Sequence, residues 1–457
     1  MASSALAGSS DAGGPGGPLA RLLRVFGDVR AGEAAAVLLQ LGNLFLLMVG
    51  YYVVKTVREP LILATGGAEM KSYAAAAQAA VLMGFIPLYG WLASRVDRLQ
   101  LITWLLLFFI ACVELFNLGL RVGMPNLGFV FYVWVGIFSL ASIAQFWSFA
   151  NDVYTREVGE RLFPLIGIGA TAGSPVGSKV ASLLFGAGMR PADLLHITAA
   201  LLVVHLILYR VVSARLARAS TRAPTEHLAG PGGFQLVFQS HYLKLMAVLL
   251  VLLNVVNTTG EYVIGKSVVA AADVAKGVAL AANPALNGKA FTESFIGSFY
   301  GDYFFWVNLV AVVLQAFVVS RLVKLFGLAG VILALPLVSL SAYGLVGAGV
   351  AFSVLRWAKT AENATDYSVM NTGRQMLWLP TRREEKYKAK QALDTFFVRG
   401  GDMISAGIVF VGTGWLKLSV QGFAWANVVL VGLWLAVAVL LLRENRRLVA
   451  GPAQRAA

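Results

Sequence analysis

Apolar residues dominate the chain in long runs that polar residues interrupt at regular intervals. A helix crosses a bilayer in about 20 residues, and twelve runs reach that length, at 34–64, 73–96, 99–120, 127–150, 163–187, 192–213, 244–266, 293–320, 323–344, 347–370, 389–413 and 419–442. Backbone amides inside a bilayer have no water to bond, so runs of this length predict helices. The pattern therefore predicts an all-α membrane protein with twelve transmembrane helices.

The runs form two sets of six with a weak internal repeat. The segment YYVVKTV (51–57) recurs as EYVIGKSVV (261–269), and SRVDR (94–98) recurs as SRLVK (320–324). Such spacing predicts two six-helix halves of the major facilitator type, in which spans 1, 4, 7 and 10 line a central cavity. The predicted boundaries are 1–33 for a disordered tail plus a basic interfacial helix, 34–213 and 244–445 for the halves, 214–243 for a cytosolic linker and 446–457 for a cytosolic tail.

Composition agrees with a membrane protein, because 58% of the 457 residues are hydrophobic, 13% are charged and mean hydropathy is +0.74. The net charge of +14 does not predict nucleic-acid binding, since no basic run interleaved with aromatics lies outside the apolar segments. The single cysteine excludes an intramolecular disulfide. No cluster of His, Cys or carboxylates has catalytic or metal-ligand spacing, so the sequence predicts neither an enzyme nor a cofactor.

Lysine and arginine are distributed unevenly between the two sides of the predicted membrane. Twenty-three of the 37 lie on the side of the two termini, which predicts that both termini are cytosolic. Six lie in loops on the other side: Lys71, Arg121, Arg190, Lys276, Lys289 and Lys417. The remaining eight are at membrane depth.

Charges at membrane depth are concentrated in the predicted cavity-lining spans. A charge at the bilayer centre costs about 2.5–3.5 kcal/mol on the lenient scale, so these side chains are expected to face a wet cavity or one another. The residues predicted to bind substrate are Lys55, Arg58, Asn151, Arg356, Lys359 and Arg399. Those predicted to gate or couple protons are Glu59, Asp152, Glu261, Lys266, Asp366 and Asp402. The excess of cations predicts an anionic solute.

Two features have a structural interpretation beside the functional one. Lys55 and Glu59 are four residues apart, and such a pair can also simply pin helices together. Gly169, Gly173 and Gly177 recur every four residues, which favours close helix packing over ligand contact. Their segment has GxxxGxK spacing and not that of a P-loop, so ATP hydrolysis is not supported.

Three segments resemble the ATP/ADP translocase family of non-mitochondrial nucleotide transporters. They are VKTVREPLILATGGAE (54–69), FWSFANDVYTREVGERLFPLIGIGA (146–170) and REEKYKAKQALDTFFVRGGD (383–402), and the likeness extends over roughly 35–445. The resemblance implies a major facilitator-like transporter that exchanges or imports nucleotides such as ATP and ADP. It also implies a bacterial inner (cytoplasmic) membrane location.

When the family's functional charged residues are aligned with this sequence, most of them correspond to residues with the same sign of charge. Its first-span lysine corresponds to Arg58, its acidic residue after FAN to Asp152, and its span-7 glutamate to Glu261. Its span-11 lysine corresponds to Asp402, with Arg399 the nearest cation. A carboxylate there would repel a phosphate unless it is neutralised, so the resemblance does not fix the cargo.

Three functions stay open on the sequence. The first is a secondary transporter that moves an anionic, phosphorylated metabolite by alternating access. The second is a proton-coupled carrier of a non-nucleotide solute, in which Glu59, Glu261 or Asp402 titrates. The third is a membrane scaffold or sensor without transport. The sequence identifies no partner beyond the solute and the lipid bilayer, and it does not set the oligomeric state.

Overall fold

The computed structural model describes residues 29–30, 33–93, 95–216 and 232–454. All regular secondary structure in these residues is helical, and we number the helices in chain order: α1 Ala34–Ala93, α2 Arg98–Arg121, α3 Leu127–Val153, α4 Arg156–Gly186, α5 Pro191–Leu216, α6 Gly233–Gln239, α7 His241–Ala282, α8 Gly288–Val313, α9 Val319–Gly347, α10 Phe352–Thr365, α11 Asn371–Leu377, α12 Lys390–Ala392, α13 Val398–Gly414 and α14 Val420–Gln454. Four π-helical turns occur at Leu314–Val318, Asp366–Met370, Glu385–Ala389 and Leu393–Phe397. The predicted tail and interfacial helix (1–33) lie almost wholly outside the described residues, as does half of the predicted linker, at 217–231.

Eight helical stretches among the described residues are long and apolar enough to cross a membrane. Two of them, Ala34–Ala93 and Gly288–Gly347, are 60 residues long. A straight helix of that length would extend about 90 Å, roughly three times the hydrocarbon thickness. The all-α, multi-pass membrane class is confirmed, and the count of twelve spans stays a prediction.

Each 60-residue stretch is interrupted at one glycine. Gly67 has φ 68° and ψ −172° in α1, and Gly327 has φ 58° and ψ −147° in α9. Glycine adopts a positive φ without a Cβ clash, so the chain changes direction there and then resumes the helix. We call the parts of α1 before and after Gly67 its N-terminal arm and its C-terminal arm.

Burial divides the chain into an N-terminal group, α1–α5, and a C-terminal group, α6–α14. Two buried cores contain only residues between 29 and 212. A third contains only residues between 237 and 442. A fourth joins the groups, with Tyr52 and Ile62 of α1 packed among residues such as Tyr300 of α8. The groups are therefore separate packing units that share one interface.

The glycine stripe of α4 packs against the backbone of α1. A Cβ added at Gly173 would lie 2.6 Å from the carbonyl oxygen of Phe45, and one at Gly177 would lie 2.6 Å from that of Val49. At Gly169 the obstacle is the carbonyl oxygen of Leu41. The prediction that these glycines serve close helix packing is confirmed.

The two groups meet at the end of the molecule that contains Gly67, which we call the Gly67 end. Ser182 Oγ of α4 donates to the Ser298 carbonyl of α8 over 3.0 Å. About 30 Å further along the C-terminal arm of α1, Ile86 and Pro87 line a cavity of about 160 Å³. Residues of α6 and of the segment from 388 to 396 form the rest of its lining. The groups are thus in contact at the Gly67 end and together line a cavity near the other end.

Candidate functional site

Lys71 lies at the centre of the interface between the groups. The predicted loop at this position is wrong, because helix α1 continues through Gly67 and buries Lys71 to 4% exposure. Its Nζ lies 2.8 Å from Glu59 Oε2 and 3.3 Å from Glu261 Oε2. It also donates to the Tyr300 hydroxyl over 3.4 Å. One lysine therefore ties both arms of α1 to α7 and α8.

Further contacts extend this cluster on both sides. Glu59, which is fully buried, accepts from Arg58 Nε over 3.0 Å and from Arg58 Nη2 over 2.5 Å. Asn363 of α10 donates to Glu261 Oε1 over 3.0 Å. We call Arg58, Glu59, Lys71, Glu261 and Asn363 the Lys71 network. Its two cations and two carboxylates balance, which lowers the cost of holding charges in an apolar interior.

The sequence singled out three members of this network, Arg58, Glu59 and Glu261. It missed Lys71, because the glycine pair at 66–67 and the polar stretch after it suggested a loop. Local spacing gave no signal, because the nearest acid in the sequence, Glu69, is only two residues from Lys71 and pairs with Lys266.

Lys359, predicted to bind the anion, is paired inside the C-terminal group. Its side chain is 1% exposed, and its Nζ lies 2.6 Å from Glu362 Oε2. The Tyr343 hydroxyl donates to the same carboxylate over 2.9 Å. Its charge is therefore neutralised in this conformation.

Arg356 takes part in a second contact between the groups. Lys179 Nζ of α4 lies 2.7 Å from Asp302 Oδ1 of α8. The guanidinium of Arg356 pairs with the other oxygen of Asp302. The sequence analysis overlooked Asp302, although a lone acid in the apolar run GSFYGDYFFW (297–306) is a recognisable signal.

Lys266, predicted to gate, forms a third contact. Its Nζ lies 2.6 Å from Glu69 Oε1, and the Tyr262 hydroxyl donates to the same oxygen over 3.1 Å. Glu69 lies in the C-terminal arm of α1, whereas Lys266 and Tyr262 lie in α7. This pair is more exposed than the one at Lys71, at 47% for Lys266 and 29% for Glu69.

Asp402 is neutralised by neighbours in its own group. Its Oδ1 accepts from Asn254 Nδ2 over 2.8 Å and from Thr258 Oγ1 over 2.7 Å. Arg399 lies 3.5 Å from its other oxygen. The repulsion expected of a carboxylate at this position is reduced by these contacts.

Lys55 differs from the other lysines of the interface. Its Nζ lies 4.4 Å from the Phe304 ring centroid and 5.0 Å from that of Tyr52. The Tyr367 hydroxyl, in the π-helical turn Asp366–Met370, is 3.5 Å away. Within the described part of the chain, Lys55 forms no ion pair. We call Lys55, Tyr52, Phe304 and Tyr367 the Lys55 site, and its expected pairing with Glu59 is replaced by contacts to aromatic rings.

Two arginines lie near Tyr51, the residue before Tyr52 of the Lys55 site. The positive charges of Arg58 and Arg399, from the two groups, both act on the Tyr51 side chain. The Arg58 guanidinium also lies 4.2 Å over the Tyr132 ring. Positive charge from both groups thus acts on Tyr51, whose ring packs edge-on against Tyr52 of the Lys55 site.

Three predicted site residues make none of the ion pairs described above. Asn151 and Asp152 are exposed in the last turn of α3, and neither takes part in the contacts described above. Asp366 is buried in the π-helical turn, with Arg374 at 3.9 Å. Asp366 directly precedes Tyr367 of the Lys55 site, and the roles of all three residues stay predictions.

The chain is similar in fold to solved membrane transporters. A crystal structure of nucleoside transporter NupG matches with a TM-score of 0.61 at 12% identity, covering 89% of this chain and 98% of that one. A bacterial homologue of the iron transporter ferroportin in an inward-facing state matches at 0.60 and 15%, covering 89% and 98%. An auto-inhibited POT family peptide transporter matches at 0.63 and 12%, covering 90% and 97%.

No protein-family model matches the sequence, and no significant match is found among curated proteins. The resemblance to ATP/ADP translocases therefore stays a prediction. At this level of identity the structural likeness shows the fold alone: this chain shares its helical fold with these solved transporters.

Proposed function

We propose that this protein is a secondary transporter that moves an anionic, phosphorylated metabolite, such as ATP or ADP, by alternating access of two six-helix halves. The observation that carries the proposal is Lys55. A cation without an ion pair, held between two groups of helices, is costly unless a ligand uses it. An anion is the ligand that such a cation would bind.

The neighbours of Lys55 suit a ligand that combines an anion with a flat ring. Phe304, Tyr52 and Tyr367 offer aromatic faces, and Arg58 and Arg399 offer guanidinium groups that bind phosphate in a bidentate manner. In this proposal Lys55, Arg58 and Arg399 bind the anionic part. Arg356, Lys359 and Asn151 stay secondary candidates for substrate contact.

The contacts between the groups support the alternating-access part of the proposal. Ion pairs and close packing join the groups at the Gly67 end, and both groups line a cavity near the other end. Rocking of the two groups about such an interface would expose a central site to one side at a time. In this proposal the Gly67 end is the non-cytosolic end, as the distribution of basic residues predicts.

The test is uptake of labelled ATP into proteoliposomes preloaded with ADP, compared with empty ones. We expect uptake that requires internal ADP and is lost in Lys55→Gln. The matched control is Lys289→Gln, a change at a lysine of the first turn of α8 that is 72% exposed. Absence of uptake by correctly oriented wild-type protein would contradict a nucleotide cargo. Equal uptake by both variants would contradict the role of Lys55.

A second candidate, proton-coupled transport of a non-nucleotide solute, is favoured by Asp366. Its Oδ1 is buried and has no hydrogen-bond partner, and its Arg374 partner is distant at 3.9 Å. Carboxylates placed in this way inside membranes serve as proton carriers. Solute uptake driven by a proton gradient, insensitive to nucleotides and lost in Asp366→Asn, would favour this candidate over the first.

A further inference from the structure

We propose that Glu59 is a positioning residue that links an anion bound at Arg58 to the ion pair between Lys71 and Glu261. The inference rests on the proposed function, because it takes Arg58 as part of the anion site. It adds a route by which the occupied site would loosen the Gly67 end.

The geometry is a row of alternating charges. Arg58 and Lys71 bind different oxygens of the one Glu59 carboxylate, Oε1 at 2.5 Å and Oε2 at 2.8 Å. Lys71 then reaches Glu261 of the other group at the longer distance of 3.3 Å. Glu59 is completely buried, so no water competes for its charge. The order from the proposed site to the interface is Arg58, Glu59, Lys71, Glu261.

The direction of the effect follows from competition along this row. An anion that binds Arg58 draws the guanidinium away from Glu59. Glu59 then interacts more strongly with Lys71, which is left with less attraction for Glu261. Because the last pair joins the two groups, binding at Arg58 weakens the contact at the Gly67 end.

Replacement of Glu59 by glutamine separates these events. In Glu59→Gln the Arg58 guanidinium has no carboxylate competitor, so the anion binds more tightly. Lys71 has Glu261 as its only carboxylate, so the groups stay joined. We therefore expect a lower KM for ATP together with a lower kcat, whereas a merely structural role would lower transport and leave KM unchanged.

Closure of the interface is measured as the rate of disulfide cross-linking between two introduced cysteines, Ser182→Cys and Ser298→Cys. The parent protein for this assay carries Cys112→Ala, which removes the only native cysteine of the sequence. Ser182 Oγ and the Ser298 carbonyl are 3.0 Å apart, so the two positions report closure of the Gly67 end. Without substrate, Glu261→Gln is expected to slow cross-linking about fivefold, the lower range for coupled sites. Glu59→Gln is expected to keep or raise the parent rate.

The control is Glu114→Gln, because Glu114 pairs with His196 within the N-terminal group at 2.7 Å. An unchanged rate in Glu261→Gln, or an equal loss in Glu59→Gln, would overturn the proposal. This comparison needs no substrate, so it tests whether Glu59 competes with Glu261 for Lys71 even if proteoliposome uptake shows that nucleotides are not the cargo.

If the protein takes up ATP, the same cross-linking assay with added ATP tests whether Glu59 links the bound anion to the interface. We expect ATP to slow cross-linking in the parent and to have no effect in Glu59→Gln. An equal ATP effect in both would show that Glu59 is not the link.

A separate observation carries a second inference, within the N-terminal group. We infer that one water molecule is bound between α3 and α5. Ser142, Gln145 and His205 line a cavity of about 10 Å³, the space that one water requires. Ser142 Oγ and both amide atoms of Gln145 are buried without a hydrogen-bond partner.

The protonation of His205 agrees with this site. Its Nδ1 lies 3.2 Å from the Asn43 carbonyl oxygen, which can only accept. Nδ1 therefore carries the proton, and Nε2 is left as an acceptor. A water could then donate to Nε2 and bond Ser142 and Gln145.

Whether Gln145→Leu raises or lowers the midpoint of thermal unfolding tests this water site. With water bound, Gln145→Leu removes partners of the water and leaves Ser142 and His205 unsatisfied, so the midpoint temperature in detergent should fall. In a dry cavity the same change removes two unpaired polar atoms and should raise it. A rise in the midpoint, or an experimental map that resolves ordered water and shows none in the cavity, would overturn the inference.

Discussion

Lys55 and Lys71 are 16 residues apart on the same helix, but their side chains have different surroundings. Lys71 is held by two carboxylates, one from each group of helices. Lys55 is surrounded by aromatic rings and has no ion pair among the described residues. A paired charge stabilises the arrangement that contains it, whereas an unpaired one is available to a ligand. The comparison separates a contact that holds the molecule closed from a candidate contact with the cargo.

The loss of Lys71 should have the largest effect on stability. Lys71→Met leaves Glu59 and Glu261 facing each other without the cation between them. Removal of one partner of a buried ion pair costs about 3–5 kcal/mol. We expect a strongly lowered midpoint of thermal unfolding in detergent, or loss of folded protein. A midpoint equal to that of wild type would remove the distinction between the two regions.

The loss of Lys266 should have an intermediate effect. Its pair with Glu69 also joins the two groups, but the lysine is 47% exposed. Exposed pairs contribute about 0–1 kcal/mol, so Lys266→Met should lower the unfolding midpoint far less than Lys71→Met. Measurement of both variants at low and high salt sharpens the point, because only the exposed pair should weaken as salt rises.

The loss of Lys55 should have the smallest effect on stability. Lys55→Met removes cation–π contacts, each of which contributes about 0.5–1 kcal/mol at exposed sites, and one long hydrogen bond to the Tyr367 hydroxyl. The unfolding midpoint should stay near that of wild type while labelled ATP uptake is lost. A large drop in the midpoint would show that Lys55 is a structural residue, and the anion proposal would lose its main support.

Much of the candidate site could be predicted from single residues in the sequence. Lys55, Arg58, Glu59 and Glu261 were identified because a charge in an apolar run needs a partner or water, whatever the fold. The partners themselves were not predictable. Glu59 was expected opposite Lys55 because of their four-residue spacing, yet it pairs with Arg58 and with Lys71, which lies beyond a change of chain direction.

Asp302 and Glu69 show the same limit. Each pairs with a residue more than 100 positions away in the chain, Lys179 and Lys266 respectively. Local spacing carries no information about such contacts. They depend on how helices from the two groups are placed against each other.

The sequence by itself determined the membrane class, the helical content, the glycine stripe that packs α4 on α1, and the presence of buried charge. These follow from local physics, because lipid requires backbone hydrogen bonds within helices and small residues permit close approach. Only the tertiary structure decided which charges are paired. The pairing of Lys71 depends on Gly67, because its positive φ redirects α1 and brings Lys71 back to Glu59, whereas Lys55 forms no ion pair with any residue that the structure describes.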